Sequence, residues 1–230
     1  MPFQSNDEYL DDNVINAFFS FLPGIAERKK FSLLCFDTYV CKSILRQGFV
    51  SDGFYKWASK IAMVKYPVWL IPIHYANHWT LLIIVHPQKI IVLYDSLHGN
   101  PNEKIVGEIC RFIEEHININ SWDEWTLHTP KDVPIQKMND NVGGNCGVHV
   151  CTWEYIIESG SYTPFCEEDM SAACKGIANY LVNGVSNKRI EKQIIKYRNV
   201  VLSNNEKRLN TSTKFNWRVK KGGSRWRTER

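Results

Sequence analysis

No long hydrophobic run occurs in the 230 residues of this chain. Even the longest purely apolar stretches are short, such as Leu81–Val85. A membrane-spanning helix needs about 20 mainly apolar residues, so the sequence predicts none. The N-terminal stretch MPFQSNDEYLDD is acidic, whereas a secretory signal is basic and then apolar. We therefore expect an intracellular protein, in the nucleus, the cytoplasm or both, with no membrane partner.

The chain also lacks paired CxxC motifs and the dense, even-numbered cysteines of secreted frameworks. Its seven cysteines are an odd number and lie mostly in apolar surroundings, which favours reduced thiols. Two groups could still suggest zinc: His74 with His78, and Cys146 with His149 and Cys151. The first pair would share a face only on a helix, and the second group has no matching CxxC, so a structural zinc site is the weaker interpretation.

Charge is unevenly distributed along the chain. Residues 188–230 contain 14 Lys or Arg and 3 Glu, a net charge of +11, whereas residues 1–187 contain 14 basic and 21 acidic side chains, a net charge of −7. An acidic body with a basic end indicates two parts with different roles. We predict a domain over residues 1–186 and a basic extension over residues 187–230.

Apolar periodicity predicts both helices and strands, and thus an α+β fold. A pair of strands is joined by His86-Pro87-Gln88, which is typical of a hairpin turn. The predicted helices are 11–22, 54–65, 102–116, 146–156 (apolar at Val148, Cys151, Thr152, Tyr155 and Ile156) and 165–182. The predicted strands are 68–73, 79–85, 89–94 and 125–128.

Cys146 stands at the start of a predicted helix, where unpaired N–H groups and the helix dipole stabilise a thiolate. Gly143, Gly144 and Gly147 surround it and would allow a substrate backbone to approach closely. Most cysteines, however, are small core side chains. From the residues alone, a nucleophile and a packing role both remain open.

A catalytic thiol also needs a base and a group that orients the base. His78 opens one predicted strand and Asp95 follows the next, so hairpin pairing would bring both to the same end of the sheet. A single histidine beside a tryptophan is often only a packing residue. The spacing therefore suggests a Cys-His-Asp triad without establishing it.

Several segments together resemble the Ulp/SENP cysteine proteases, which process SUMO and related ubiquitin-like modifiers. Trp69–Leu82 and Val92–Ser96 are similar to the His and Asp blocks of that family. Gln136–Asn139 and Asn145–Cys151 resemble its Gln and Cys blocks, and Tyr9–Asn16 resembles its N-terminal block. The order of the motifs is the same, and the resemblance extends from about Tyr9 to about Gly184.

The resemblance implies a papain-like α+β fold, with a central mixed sheet flanked by helices. It implies that His78 is the general base, Asp95 its orienting group, Cys146 the nucleophile and Gln136 the oxyanion donor. Trp79 corresponds to the aromatic residue that covers the narrow C-terminal glycines of the modifier, although core packing is the alternative. The other residues expected to contact the substrate are Tyr9, Gly144 and Asn145.

The expected activity is that of an isopeptidase or C-terminal hydrolase which cleaves after the terminal glycine of a ubiquitin-like modifier, SUMO above all, and needs no metal or organic cofactor. Two alternatives belong to other classes: an inactive or weakly active modifier-binding protein, and an acetyltransferase built on the same triad. The preferred modifier and the oligomeric state are not readable from short motifs.

Three positions depart from the family pattern. Tyr9 stands where tryptophan is usual, and Asn145 stands where aspartate usually precedes the nucleophile. The loop between Gln136 and Cys146 is longer, with extra residues at 140–143. These departures bear on the activity level and on oxyanion geometry more than on the triad.

The basic extension allows two interpretations. It fits a solvated, largely disordered segment, and its +11 charge with Trp217 and Trp226 also suits salt-sensitive contact with nucleic acid or another acidic partner. A chain ending at Ser186 should keep kcat on a modifier that carries a C-terminal fluorophore, since the resemblance ends near Gly184. It should lose any low-salt binding to DNA or RNA, measured by fluorescence anisotropy. Unfolding or a severe loss of kcat would instead place residues 190–201 in the catalytic core.

Overall fold

The structure, a computed structural model, describes residues 10–21, 32–41, 63–116, 122–137, 144–159 and 165–183. Its strands are β1 (Leu33–Cys35), β2 (Val68–Tyr75), β3 (His78–Val85), β4 (Ile90–Tyr94) and β5 (Thr126–His128). Its helices are α1 (Asp12–Phe21), α2 (Glu103–His116), α3 (Cys146–Ser159) and α4 (Met170–Asn183). Short 3₁₀ turns occur at Met63–Lys65, His86–Gln88, Trp122–Glu124 and Glu167–Asp169.

The strands form one five-stranded sheet in the order β1-β2-β3-β4-β5. The three central strands are antiparallel, whereas β1 is parallel to β2 and β5 is parallel to β4. The sheet is therefore mixed, and with helices packed on both faces it confirms the predicted α+β architecture.

Two turns set the register of the central strands. β2 and β3 are joined by Ala76 and Asn77, whose φ angles of 50° and 59° are left-handed, as a tight two-residue hairpin turn requires. This turn makes His78 the first residue of β3, opposite Tyr75. β3 and β4 are joined by the 3₁₀ turn His86–Gln88, which confirms the predicted hairpin.

Strand β3 is covered on both faces, because its successive side chains alternate between two cores. Leu82 and Ile84 pack into the core beneath α2, and Leu81 and Ile83 pack into the core beneath α1, α3 and α4. All four are at most 6% exposed. Burying both faces of this strand fixes its register, since a one-residue slip would exchange the two sets of side chains.

Helices α1 and α2 each begin directly after a residue whose side chain caps the helix N-terminus. The Asp11 side chain accepts a hydrogen bond from Val14 N–H at 2.9 Å, and the Asn102 side chain accepts one from Ile105 N–H at 3.2 Å. The apolar residues that recur at helical spacing in α2 are buried: Ile105, Ile109, Phe112 and Ile113. The helix predicted at 54–65 lies outside the described residues except for Met63–Lys65, which form a 3₁₀ turn.

Helix α3 differs from its predicted pattern. Of the expected inward positions, Thr152, Tyr155 and Ile156 are only half-buried, whereas His149 and Glu154 are fully buried. The reason is that α3 packs against β3 and is also flanked by α1 and α4, so its first half is enclosed on every side. A one-face rule for surface helices does not apply to an enclosed helix.

Three further sequence expectations concern the chain as a whole. None of the described helices is both long and apolar enough to cross a membrane. All seven cysteines lie in the described residues, and no disulfide joins them. The basic extension, residues 187–230, lies outside the described residues, so the domain boundary at 186 stays a prediction.

Candidate active site

Three elements bring the predicted triad together at one end of the sheet. His78 is the first residue of β3, and Asp95 directly follows β4. The antiparallel register pairs Leu81 with Tyr94, so the start of β3 and the end of β4 lie side by side. Helix α3, which packs against β3, begins at Cys146.

The His78 ring and the Asp95 carboxylate form a hydrogen bond of 2.7 Å between Nε2 and Oδ1. Asp95 is itself held by the backbone, since Leu97 N–H donates to Oδ1 and Gly99 N–H donates to Oδ2, each at 2.9 Å. His98, with φ of 54°, lets this turn wrap around the carboxylate. A Cβ at Gly99 would lie 3.0 Å from Oδ2, so a larger residue there would press on the carboxylate.

These contacts determine the charge state of the pair. Burial by itself lowers the pKa of His78, but hydrogen bonds to Asp95 and to Cys146 outweigh burial and raise that pKa to about 9. Burial also acts to raise the pKa of Asp95, but the hydrogen bond to His78 and the two backbone N–H donors lower it overall. At neutral pH the pair is therefore an imidazolium and a carboxylate.

Cys146 lies beside the His78 ring at the start of α3. His78 Nε2 is taken by Asp95, so the other ring nitrogen is the one that faces the Cys146 thiol, with which the ring is hydrogen-bonded. The residue is 2% exposed, and it occupies the first turn of a helix of 14 residues. The thiol is therefore placed at the N-terminus of α3 and beside the His78 ring.

Gln136 is fixed beside the triad by Ser96. The Ser96 hydroxyl donates to Gln136 Oε1 at 2.8 Å, and Gln136 N–H donates to the Ser96 carbonyl at 2.9 Å. Both side chains are buried. Because Oε1 is engaged by Ser96, the amide nitrogen Nε2 is the end directed to the Cys146 loop, where a Cβ on Gly144 would lie 2.6 Å from it.

The two described glycines near Cys146 have different neighbours. Gly144 makes room for the Gln136 amide, as just described. At Gly147 a Cβ would lie 2.9 Å from Leu10 Cβ, so the close approach there is by this chain itself rather than by a substrate. The structure therefore separates a glycine at the site from one that allows the N-terminal segment to pack on α3.

The model of the Ulp1 protease family, C-terminal catalytic domain, matches residues 8–184 of this chain. The chain belongs to the Ulp1 protease family. The resemblance inferred from the sequence motifs is thereby confirmed, and the match covers the motif order His, Asp, Gln and Cys described above.

Curated relatives include Sentrin-specific protease 5 of Mus musculus, 26% identical over 174 residues, which are 74% of this chain and 22% of that protein. Ubiquitin-like-specific protease 1D of Arabidopsis thaliana is 29% identical over 147 residues, 56% of this chain and 25% of that protein. The chain thus spans about a quarter of the length of these relatives.

Solved structures share the fold. The C-terminal Ulp1 protease domain in complex with Smt3, the yeast ortholog of SUMO, has a TM-score of 0.61 at 22% identity and covers 76% of both chains. The Ulp1-like SUMO protease catalytic domain of Chaetomium thermophilum has a TM-score of 0.62 at 20% identity, covering 78% of this chain and 74% of that one.

The residues predicted to contact substrate have different surroundings in this Ulp1-family chain. Trp79 is 3% exposed and stacks on His74 with ring centroids 4.4 Å apart, so it is a core ring here. Asn145 directly precedes Cys146, and its side-chain amide donates to Glu167 at 2.7 Å. Tyr9 lies outside the described residues. Their predicted contacts with substrate stay predictions.

Sequence reasoning missed three residues of the Ulp1-family site. Ser96 orients Gln136 and directly follows Asp95, so its position next to a predicted site residue was the available signal. Glu167 was not singled out within the predicted helix 165–182, and His149 was considered only in a weak zinc group. Within the described part of the chain, no three His, Cys, Asp or Glu side chains converge as a metal ion would need.

The raised pKa of His78 predicts a pH-dependent stability. A group whose pKa rises on folding stabilises the fold fully below its unfolded pKa, about 6.5, and loses that contribution as the pH rises through its folded pKa. The free energy of unfolding should therefore fall from pH 6.5 to beyond pH 9 in the wild type. In Asp95→Asn the fall should be smaller, as followed by urea denaturation at each pH.

The matched control for this series is Glu103→Gln, which removes an exposed carboxylate in the first turn of α2, away from His78. Its stability should change with pH as the wild type does. Identical pH profiles for the wild type and Asp95→Asn would contradict the coupling between His78 and Asp95.

Proposed function

We propose that this protein is a cysteine protease that cleaves after the terminal glycine of a ubiquitin-like modifier, with SUMO as the modifier. The observation that carries the proposal is the His78 ring, hydrogen-bonded to Asp95 at 2.7 Å and to Cys146 at the start of α3. This is the arrangement of base, orienting carboxylate and thiol that nucleophilic acyl transfer needs.

The mechanism begins from the charged His78 ring, which already holds the proton that the reacting Cys146 thiolate has given up. The thiolate attacks the carbonyl carbon of the terminal glycine, and the C–S bond forms as the carbonyl electrons move to oxygen. Backbone N–H groups at the start of α3 and the Gln136 amide stabilise that oxyanion. When the C–N bond breaks, His78 returns the proton to the leaving amine, which leaves a thioester on Cys146.

A water molecule completes the cycle. His78 takes a proton from the water as the oxygen attacks the thioester carbonyl, and the same donors stabilise the second oxyanion. Collapse of this intermediate breaks the C–S bond and releases the modifier with a free carboxylate. Asp95 keeps the imidazole oriented and stabilises its positive charge in both halves of the reaction.

The burial of the site favours a substrate without side chains at its end. Cys146 is 2% exposed and Trp79 is 3% exposed, so little of the thiol and of the ring that follows the base is open to solvent. Two consecutive glycines are the slimmest peptide and can adopt backbone conformations that other residues cannot. The C-terminal diglycine of a ubiquitin-like modifier fits this requirement.

The choice of SUMO among such modifiers rests on the relatives. Family members of similar fold include a protease domain in complex with the yeast ortholog of SUMO. Modifier preference depends on surface complementarity over many residues. The preferred modifier is therefore the part of the proposal that a substrate panel must test.

The decisive experiment compares SUMO, ubiquitin and a neddylation-type modifier, each with a C-terminal fluorophore joined by an amide. The wild type should release the fluorophore most efficiently from SUMO. Cys146→Ala should lose at least about 10³-fold in kcat while it still binds SUMO, because the substitution removes only the nucleophile. His78→Ala should show a comparable loss.

Covalent trapping separates the alternatives. SUMO with a C-terminal electrophile should form an adduct with the wild type at Cys146 and none with Cys146→Ala, detected by mass spectrometry. Binding without trapping or turnover would indicate a modifier-binding protein. Trapping without amide hydrolysis, together with consumption of an acyl donor, would indicate an acetyltransferase.

A second test concerns the oxyanion donors. Gln136→Ala should lower kcat by about 10²-fold and leave KM nearly unchanged, as the loss of one such donor does. Gly144→Ala places a Cβ 2.6 Å from Gln136 Nε2 and should displace the same amide, with a similar loss.

Because both substitutions act on one group, the double variant should be little worse than either single variant. Losses that multiply would mean that Gly144 acts independently of Gln136. An unchanged kcat in Gln136→Ala would mean that another donor serves the oxyanion.

A further inference from the structure

A second pair of a histidine and a carboxylate lies next to the triad. His78 and Asp95 precede Cys146 in the sequence, whereas this second pair follows it. His149 Nε2 and Glu167 Oε2 are 2.7 Å apart, and Asn145 Nδ2 donates to Glu167 Oε1, also at 2.7 Å. The His149 side chain is 0% exposed and that of Glu167 is 10% exposed. Both oxygens of one nearly buried carboxylate are therefore used, each by a different partner.

The two partners of Glu167 bracket the turn that carries Cys146. Asn145 directly precedes α3, and its carbonyl accepts the hydrogen bond of His149 N–H at 2.9 Å. Cys146 lies within this first hydrogen-bonded turn. Glu167 thus ties both ends of the turn to the 3₁₀ turn Glu167–Asp169 that precedes α4.

The protonation state of His149 follows from its surroundings. Burial lowers its pKa, Glu167 opposes that effect, and the positive charge on His78 lowers the pKa further. His149 Nδ1 is buried and has no hydrogen-bond partner among the described residues. A proton there would be a buried, unsatisfied donor, so the neutral ring carries its proton on Nε2 and donates it to Glu167.

Glu167 therefore faces two donors, the Asn145 amide and the His149 ring. A carboxylate accepts only, so this set is fully matched. An aspartate at position 145, which the family resemblance led us to expect, would instead set two carboxylates against each other in a nearly buried place. The unusual Asn145 and the carboxylate at position 167 are thus two halves of one arrangement.

We propose that Glu167 is a positioning residue, which holds Asn145 and His149 and thereby fixes the turn that presents Cys146. Glu167 acts through these two residues and does not touch the reacting atoms. Displacing a nucleophile by about 1 Å costs about 10²-fold in rate, so holding this turn in place has a large effect on turnover. The role rests on the proposed function only where turnover is measured.

The clamp formed by Glu167, Asn145 and His149 makes a specific exchange possible. In the double variant Asn145→Asp/Glu167→Gln, the new amide at position 167 would donate to the new carboxylate at position 145, and the amide oxygen would accept the proton of His149. Every group remains paired and the net charge is unchanged. Each single substitution breaks this pairing. Asn145→Asp places a carboxylate against the carboxylate of Glu167. In Glu167→Gln, the new amide N–H faces either the Asn145 amide or the His149 N–H, and both of these are donors themselves.

The expected order of kcat/KM on SUMO with a C-terminal fluorophore follows from this pairing. Glu167→Gln should lose about tenfold and Asn145→Asp about 100-fold, whereas the double variant should return to within about threefold of the wild type. The change Asn145→Asp is then harmful in the wild type and beneficial in Glu167→Gln. If Asn145→Asp alone fails to fold, the comparison of Glu167→Gln with the double variant still decides.

The neighbouring Glu168 provides a matched control. It pairs with Lys137, and both side chains are more than 60% exposed, so this ion pair contributes little. Glu168→Gln makes the same chemical change one residue away and should stay within about twofold of the wild type. An equal loss in Glu168→Gln and Glu167→Gln would overturn the assignment.

A readout without any modifier separates this proposal from the proposed function. The rate at which iodoacetamide alkylates Cys146, measured on its peptide by mass spectrometry, should follow the same order among the variants. If the alkylation rates follow this order but the wild type does not hydrolyse the SUMO substrate, the result would support the clamp and reject the protease assignment. A double variant no better than Glu167→Gln in either assay would reject the clamp.

Discussion

The hydrogen bond between His78 and Asp95 is the contact on which the site depends, and strand register makes it possible. The two-residue turn through Ala76 and Asn77 starts β3 at His78, and β4 ends just before Asp95. Burial of β3 on both faces prevents the register from slipping. The reactive geometry is therefore anchored in the most buried part of the sheet.

Electrostatic matching extends from that bond outward. Asp95 stays ionised because two backbone N–H groups and His78 compensate for its burial, and His78 in turn stays charged because of Asp95 and Cys146. Ser96 and Gln136 add a neutral, hydrogen-bonded unit beside them. Buried polar groups of this kind are costly when unpaired, so each fixes the orientation of the next.

Of the two histidines near Cys146, His78 is positively charged and His149 is neutral, and their surroundings explain the difference. His78 gains more from its partners than it loses by burial, and its pKa rises to about 9. His149 is more deeply buried, has one nitrogen without a partner among the described residues, and lies near the charge of His78, so its pKa falls. One ring can therefore exchange protons with the thiol, while the other serves as a fixed donor.

The sequence by itself determined the elements and the family, because apolar periodicity, turn residues and motif order are local properties. It placed four of the five strands, the helix beginning at Cys146 and the four motifs close to where the structure has them, but it did not predict β1 at Leu33–Cys35. Tertiary structure alone decided which polar groups meet: Ser96 with Gln136, and Glu167 with His149 and Asn145. Such pairs join residues 18 to 40 positions apart through three-dimensional packing, and neither strand pairing nor a motif in this sequence indicated them.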